Sequence, residues 1–232
     1  MNETNRRNDA ELLSQGNSLL VGVRVAAQPD ETGYLRMKRL IDLVLSLGGL
    51  IMLLPVLTLI ALLIKIENPR GPIFFRQTRI GKDEKPFTMY KFRSMVTDAE
   101  KLLDSLLNQN EIQGAMFKMK NDPRITKVGK WIRKTSFDEM PQLLNVLKGE
   151  MSLVGPRPPL PNEVAEYTAY DKLRLIVVPG CTGLWQVSGR NHVGFKEMVE
   201  LDLIYIRKHS LWFDLKILFR TIGVMVGSKG AF

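Results

Sequence analysis

The sequence has almost none of the residues that usually build disulfides or zinc sites. It contains one cysteine, Cys181, and two histidines, His192 and His209, among 232 residues. A single cysteine excludes an intrachain disulfide and suits the cytosolic side of a membrane. The histidines lie too far apart for a short zinc motif. Cys181 follows a Pro-Gly pair, where a lone cysteine is more often a small packing residue than a nucleophile.

Internal repeats, low-complexity segments and a secretory signal are also absent. Residues 1–34 are polar, and no apolar region follows a short basic start, so they do not form a signal peptide. Their composition predicts an N-terminal segment that is largely disordered. The length of the chain suffices for one domain with a sizeable core.

Acidic residues are outnumbered by basic ones. The net charge is +9 and the isoelectric point is about 9.7. This excess suits an anionic partner, such as a membrane surface, a nucleotide sugar or a nucleic acid. Because no nucleic-acid motif accompanies the charge, we expect no nucleic acid among the partners.

One long apolar run is present. Residues 43–64 carry no charge, and as a helix they would extend about 33 Å, enough to cross a bilayer core. Pro55 lies at the centre, where it removes a hydrogen bond and kinks a helix. Basic residues flank both ends, and positive charge marks the cytoplasmic side. One interpretation is a single helix that spans the bilayer. We favour the other, a re-entrant membrane helix over residues 35–66 that is bent at Pro55 and has both ends on the cytoplasmic side. Ser46 and Thr58 are candidates to bond the backbone freed at the bend.

The pattern of residues 67–227 predicts one compact α/β domain. Residues 73–80 and 87–93 have the pattern of a strand pair. Helices are predicted at about residues 98–110, 162–174 and 195–208, and residues 127–133 are predicted to lead into a helix that starts near Asp138. Residues 211–226 mix apolar and charged positions, which fits a helix at a membrane interface or one packed on the domain. Periodicity does not separate these two alternatives.

Two adjacent carboxylates, Asp138 and Glu139, precede an apolar run that predicts a helix. Ser136 and Glu139 fit a capping box, and Gly149 is a plausible helix end. Capping does not explain Asp138, which a helix N-terminus would keep ionised and able to attack a bound phosphoryl group. Downstream, Arg157 stands between two prolines, an arrangement that suits a phosphate oxygen. Met140, Leu143, Leu144 and Leu147 follow the carboxylates at helical spacing and are predicted to face a core.

Residues 89–95, 136–158 and 179–191 resemble three signature segments of the bacterial sugar transferases, and they occur in the same order along the chain. The resemblance extends from about Met37 to about Gly227. These enzymes are monotopic phosphoglycosyl transferases that load a sugar phosphate onto a polyprenyl phosphate. The resemblance supports a re-entrant membrane helix and an interfacial C-terminal helix. Leu54 and Val178 depart from the family pattern, which often has serine and a basic residue at these positions.

The resemblance also implies a reaction and a set of site residues. Asp138 and Glu139 would be catalytic and would lie near Mg2+ as its ligands. The donor would be a UDP-sugar, with galactose or glucose favoured, and the acceptor undecaprenyl phosphate at the cytosolic face of the inner membrane, among membrane lipids. A homo-oligomer is left open. Phosphate and substrate binding is expected from the basic residues and one asparagine that match the family: Lys91, Arg133, Arg157, Arg190 and Asn191.

Each of these cations also has a structural alternative as a solvated charge or a simple ion-pair partner. Two other functions compete with the transferase. A phosphohydrolase would use Asp138 with water as the acceptor and would need no lipid. A basic adaptor that binds anionic lipid or nucleic acid would need neither carboxylate.

Overall fold

The computed structural model describes residues 31–106, 119, 122–189 and 193–227. It combines helices and short strands. In chain order the helices are α1 (Glu31–Glu67), α2 (Ala99–Leu106), α3 (Lys127–Lys134), α4 (Gln142–Lys148), α5 (Pro161–Ala165), α6 (Leu184–Val187), α7 (Phe195–Lys208) and α8 (Leu211–Gly227), and the strands are β1 (Phe74–Ile80), β2 (Pro86–Phe92), β3 (Ser152–Val154) and β4 (Gly180–Thr182). The mixed character that the sequence predicted is therefore confirmed. The N-terminal segment lies outside the described residues up to residue 30.

Helix α1 contains the apolar run. It begins at Glu31, before the predicted start, and continues through Pro55 to Glu67 without interruption. Among the helices of the described residues, α1 alone is long and apolar enough to cross a membrane. Thr58 Oγ1 donates to Leu54 O at 2.8 Å, whereas the buried Ser46 hydroxyl has no partner among the described residues. Thr58 thus bonds a carbonyl next to Pro55, and Ser46 does not help there.

Helix α1 is docked onto the rest of the structure along its length by polar contacts. Near its start, Lys38 Nζ lies 2.8 Å from Asp214 Oδ2. One turn later, Asp42 accepts from Leu153 N–H at 3.0 Å. At its end, Glu67 Oε1 accepts from Lys127 N–H at 2.8 Å. Both ends of α1 therefore contact the same domain.

Apolar packing reinforces this docking. Ile60 and Ile64 of α1 join Phe92 of β2 and Ile132 of α3 in one buried cluster. The opposite side of α1 is apolar and exposed, including Ile51 and other large side chains: Val44, Met52, Leu54, Leu59, Leu62 and Ile66. A helix that packs one face on protein and exposes an apolar face on the other side is suited to contact with lipid.

The two strand pairs form separate small sheets. β1 and β2 are antiparallel, with Phe74 opposite Phe92 and Ile80 opposite Pro86, which confirms the predicted pair. β3 and β4 are parallel, a pairing that the sequence analysis did not predict. The main core packs beside β3 and is formed by residues of β3, α6, α7 and α8 together with Leu173.

Two predicted helices agree with the structure, and two need comment. α7 has the predicted bounds and α8 closely matches residues 211–226. α3 is a helix in the segment that the sequence predicts only to lead into the next one. α2 ends at Leu106, and the remainder of predicted helix 98–110 lies outside the described residues. The single helix predicted over residues 162–174 is wrong. The chain forms the short α5 and a separate 3-10 helix, Asp171–Ile176, because Thr168 and Asp171 bond each other's backbone N–H groups and start a new turn.

Helix α8 carries two different faces. Ile217 and Asp214 are buried against the domain, while Trp212 is 76% exposed and Phe219 70% exposed. The helix therefore packs on the domain with one face, as one of the two alternatives predicted, and presents aromatic side chains with the other. Exposed aromatic side chains are compatible with a membrane interface, and the interfacial alternative stays a prediction.

Candidate active site

The two carboxylates lie on a 3-10 turn, Phe137–Glu139, immediately before α4. Ser136 enters this turn in the left-handed conformation, at φ 57° and ψ 17°. Its side chain makes no capping hydrogen bond, so the predicted capping box is wrong. A non-glycine residue in this conformation is strained, and such strain is commonly found at functional sites. The turn presents Asp138 and Glu139 ahead of the helix instead of within it.

Helix α4 buries a different face from the predicted one. Gln142, Asn145 and Val146 are its buried residues, and Leu144 is exposed. The reason is a polar connection: Asn145 accepts from Tyr90 N–H at 3.1 Å and donates to Thr88 O at 2.7 Å. This amide binds α4 to strand β2 and so fixes the carboxylates relative to that strand. Gly149 ends the helix with φ 83°, as predicted.

Strand β2 brings the first predicted cation to the carboxylates. Lys91 Nζ lies 2.7 Å from Glu139 Oε1, and both side chains are partly accessible. Lys91 and Glu139 are separated by 48 residues in the sequence, so only the fold brings them together. This contact means that Glu139 is a paired charge, which explains why capping is not its role.

Asp138 is held in a setting that resists ionisation. Burial, followed by repulsion from Glu139, raises the pKa of this carboxyl from 3.8 to about 6, while Lys91 and Arg133 act in the opposite direction. The pKa would therefore lie just below neutrality, so that most of the carboxyl is ionised at pH 7 and its charge is only partly balanced. A carboxylate of this kind is suited to nucleophilic attack or to binding a cation.

The remaining predicted residues are distributed around this centre. Arg133, at the end of α3, is close enough to influence the charge of Asp138. Arg157 faces Glu163, with Nη1 at 3.4 Å from Oε2. Arg190 and Asn191 lie outside the described residues, so their predicted roles stay predictions. The structure thus brings Lys91 and Arg133 to the carboxylates and places Arg157 in a separate ion pair.

Sequence reasoning missed a second group of charges around Arg157. Arg79 is buried, and its pKa is lowered to about 10 by burial and by the nearby positive charge of Arg157, while Glu163 and Glu139 act in the opposite direction. Arg79 therefore connects the surroundings of Arg157 electrostatically with Glu139. The sequence contained no signal for this role. Arg79 lies in strand β1 among both apolar and polar residues, and that pattern does not indicate burial.

Cys181 is not a competing nucleophile. It packs at the edge of the cluster formed by Met89, Val146 and Met151, and burial raises the pKa of its thiol. A thiol in such surroundings stays protonated and inert. The prediction that it is a packing residue is confirmed by these contacts. The described residues also contain no group of three potential metal ligands of the His, Cys, Asp or Glu type.

Comparison with known proteins decides the family. The sequence pattern described as "Bacterial sugar transferase" matches residues 33–228. The chain belongs to the bacterial sugar transferase family. The resemblance found in the three conserved segments is thereby confirmed.

Similar proteins in this family come from several bacteria. The chain is 48% identical over 199 residues to "Galactosyl transferase CpsE" of Streptococcus agalactiae, covering 85% of this chain and 44% of that protein. It is 46% identical over 200 residues to "Undecaprenyl-phosphate galactose phosphotransferase" of Salmonella typhimurium, covering 84% and 42%. With "Exopolysaccharide production protein ExoY" of Rhizobium meliloti the identity is 39% over 213 residues, covering 88% and 94%.

The relatives differ in length from this chain. The chain spans less than half of the galactosyl transferase and of the galactose phosphotransferase, but it covers most of the exopolysaccharide protein. The site residues described above all lie within the part that the family pattern matches. The candidate active site therefore lies inside the region that matches the family.

Proposed function

We propose that this protein is a phosphoglycosyl transferase that moves a hexose-1-phosphate from a UDP-sugar to undecaprenyl phosphate and releases UMP. The observation that carries the proposal is the half-buried Asp138–Glu139 pair with Lys91 and Arg133 beside it. A relative in Salmonella typhimurium is named for phosphate transfer to this lipid. The geometry of the pair suits such chemistry on a phosphorus centre.

The reaction would proceed in two displacements. A carboxylate oxygen of Asp138 attacks the phosphorus that carries the sugar, and the bond from that phosphorus to the bridging oxygen of UMP breaks. UMP leaves with the bond electrons, and a phosphosugar remains on Asp138. An oxygen of undecaprenyl phosphate then attacks the same phosphorus and displaces the carboxylate, which regenerates the enzyme. Two steps let one nucleophile serve two bulky anionic substrates in turn.

The basic residues would bind and orient the phosphates. Lys91 Nζ lies 2.7 Å from Glu139 Oε1. It therefore partly neutralises a carboxylate that would otherwise repel an incoming diphosphate. Arg133 lies near Asp138 and adds positive charge where the leaving phosphate would gain negative charge. Arg157 can form the paired hydrogen bonds with phosphate oxygens that a guanidinium favours.

The residues at this centre fit Mg2+. This ion usually binds one or two carboxylates and completes its shell with water and substrate phosphates, and Asp138 and Glu139 offer such a pair. The pKa of Asp138 is raised first by burial and then by the negative charge of Glu139, and a cation bound at the two carboxylates would offset that repulsion. When bound, Mg2+ would neutralise the diphosphate and stabilise the leaving group.

The contacts of α1 support attachment to one side of a membrane. Lys38 near its start and Glu67 at its end both bond to the same domain, which favours both ends on one side of the bilayer. The exposed apolar face of α1 and the exposed Trp212 and Phe219 of α8 would enter the lipid. The favoured arrangement is therefore monotopic and re-entrant, at the cytosolic face of the inner membrane, where a lipid phosphate can reach the carboxylates.

Galactose and glucose are the proposed sugars. Relatives named for galactose and for glucose transfer to the same lipid match 84% of this chain, and another is named for exopolysaccharide production. The lipid-linked product would then start an exopolysaccharide, capsule or O-antigen chain.

The test is UMP release by the detergent-solubilised protein. UDP-galactose, UDP-glucose and UDP-N-acetyl sugars would be supplied with and without undecaprenyl phosphate, in Mg2+ or in EDTA, with Asp138→Asn as the matched variant. We expect turnover that needs lipid and Mg2+ with a hexose donor and that is lost in Asp138→Asn. Turnover without lipid would indicate a hydrolase, and lipid binding without any turnover would indicate an adaptor.

A further inference from the structure

The loop that carries Arg157, residues 156–159, is held at every backbone carbonyl. Three of its four residues are prolines, which donate no backbone hydrogen bond. Each carbonyl oxygen instead accepts one bond: Pro156 O from Gly180 N at 2.8 Å, Arg157 O from Arg174 Nη2 at 3.2 Å, Pro158 O from Arg79 Nη1 at 3.0 Å, and Pro159 O from Ile80 N at 3.0 Å. The backbone under Arg157 is therefore fixed from several elements at once.

Arg174 makes the bond directly beneath Arg157 and is itself buried, with 1% of its surface exposed. Its guanidinium also donates to Asp202 Oδ2 of α7 at 2.5 Å and to Tyr167 Oη at 2.9 Å. One side chain thus joins the loop, the 3-10 helix Asp171–Ile176 and α7. Only a guanidinium has enough donors in a fixed plane to make these bonds together.

Stability alone is a poor explanation for this ion pair. Arg174 Nε and Asp202 Oδ1 are buried and have no hydrogen-bond partner among the described residues. Buried ion pairs can often be replaced by apolar residues of similar volume with little loss of stability. An apolar pair would fill the same space, but it could not bond Arg157 O.

The far end of Arg157 is oriented as well. Its Nη1 lies 3.4 Å from Glu163 Oε2, and that same oxygen accepts from Leu160 N–H at 2.7 Å. The three guanidinium groups of Arg79, Arg157 and Arg174 outnumber the two carboxylates of Glu163 and Asp202. The group therefore has an excess of positive charge, which a bound phosphate group can balance.

We propose that Arg174 and Asp202 are positioning residues, which fix the backbone of Arg157 so that its guanidinium meets the diphosphate of the sugar donor. This inference rests on the proposed function. Neither residue would touch the substrate, and both would act through Arg157. A misplacement of about 1 Å in a binding group can cost on the order of 10²-fold in rate, so the effect should be visible in kinetics.

A double-mutant cycle tests the proposal. The variants are Arg157→Ala, the apolar replacement Arg174→Met with Asp202→Leu, and the combination of all three. Arg157→Ala should lower kcat/KM for the UDP-sugar about 10- to 100-fold, and the apolar replacement should lower it comparably. The combined variant should be no more than about threefold worse than Arg157→Ala, because a positioning pair has nothing left to position.

The control is Lys172→Met, which removes an exposed ion pair with Glu84 from the same 3-10 helix and should leave kcat/KM unchanged. If the apolar replacement does not fold, Arg174→Lys serves instead. It keeps the charge but loses the planar set of donors, and it should lower kcat/KM about tenfold or more. Wild-type kcat/KM in a folded pair variant would overturn the proposal, as would effects that multiply in the combined variant.

The proposed function can fail separately from this inference. Absence of UMP release by the wild type would count against the transferase before any variant is compared. The same proteins would then be compared by the affinity for UDP, measured by calorimetry in EDTA. Weaker binding in the pair variants, lost in the Arg157→Ala background, would still support the positioning role, and unchanged binding would overturn it.

Discussion

Replacing the proposed nucleophile should make the protein more stable while abolishing its activity. The pKa of Asp138 is raised from 3.8 to about 6 by burial and by Glu139. Because the folded state favours the protonated form, this carboxyl adds stability below pH 3.8, and that contribution is lost as the pH rises through 6. Above pH 6 the ionised carboxylate opposes folding by up to about 3 kcal/mol, at about 1.4 kcal/mol per pKa unit.

Asp138→Asn removes this opposition, because an amide stays neutral at every pH. The carboxyl is only half-buried, so solvent reduces the effect, and we expect a gain of about 1–3 kcal/mol at pH 8 and about half as much at pH 5. The gain would be measured by urea unfolding of the detergent-solubilised protein, followed by tryptophan fluorescence. EDTA must be present, because a bound divalent cation would lower the pKa of Asp138.

The matched control is Asp83→Asn, at an exposed residue with φ 55°. Aspartate and asparagine both tolerate this conformation, so its stability should stay within about 0.5 kcal/mol of the wild type. The reasoning would be refuted by an Asp138→Asn protein that is no more stable than the wild type at pH 8, or by a gain that does not shrink between pH 8 and pH 5.

Three further results are expected. At limiting Mg2+ and donor, kcat/KM for UMP release should fall below about pH 6, because protonation of Asp138 removes the nucleophile, and saturating Mg2+ should shift this fall to lower pH; a kcat/KM that is flat down to pH 5 at limiting Mg2+ would contradict this. Lys91→Met should lower kcat/KM and move the acid limb of the pH–rate profile upward, since Lys91 favours the ionised form of Asp138; an unmoved limb would assign Lys91 no electrostatic role. Asn145→Ala should lower the free energy of unfolding by about 1–3 kcal/mol, because the buried Asn145 is lost and the backbone groups of Thr88 and Tyr90 in β2 lose their partner; a change within 0.5 kcal/mol of wild type, about the level of a neutral surface substitution, would show that α4 is held to β2 by packing alone.

The agreement between sequence and structure is best where the signal is local. The strand pair β1–β2, helix α7 and the end of α4 at Gly149 follow from residue patterns within a few positions. The failures have two kinds of cause: the break in the predicted helix 162–174 is local, at Thr168 and Asp171, whereas the surroundings of Glu139 and the buried face of α4 depend on distant partners. The capping alternative for Glu139 fails because Ser136 makes no capping bond, and Glu139 instead pairs with Lys91. Asn145, and not Leu144, lies on the buried face of α4, where it bonds β2.

The sequence by itself determined the long apolar segment, the adjacent carboxylates Asp138 and Glu139, the prolines around Arg157 and the family. These are properties of neighbouring residues, so they can be recognised without coordinates. The tertiary structure decided which charges meet: Lys91 with Glu139 across 48 positions, and Arg174 beneath the carbonyl of Arg157. Such pairings depend on how the chain returns to itself, and residue spacing carries no direct record of that path.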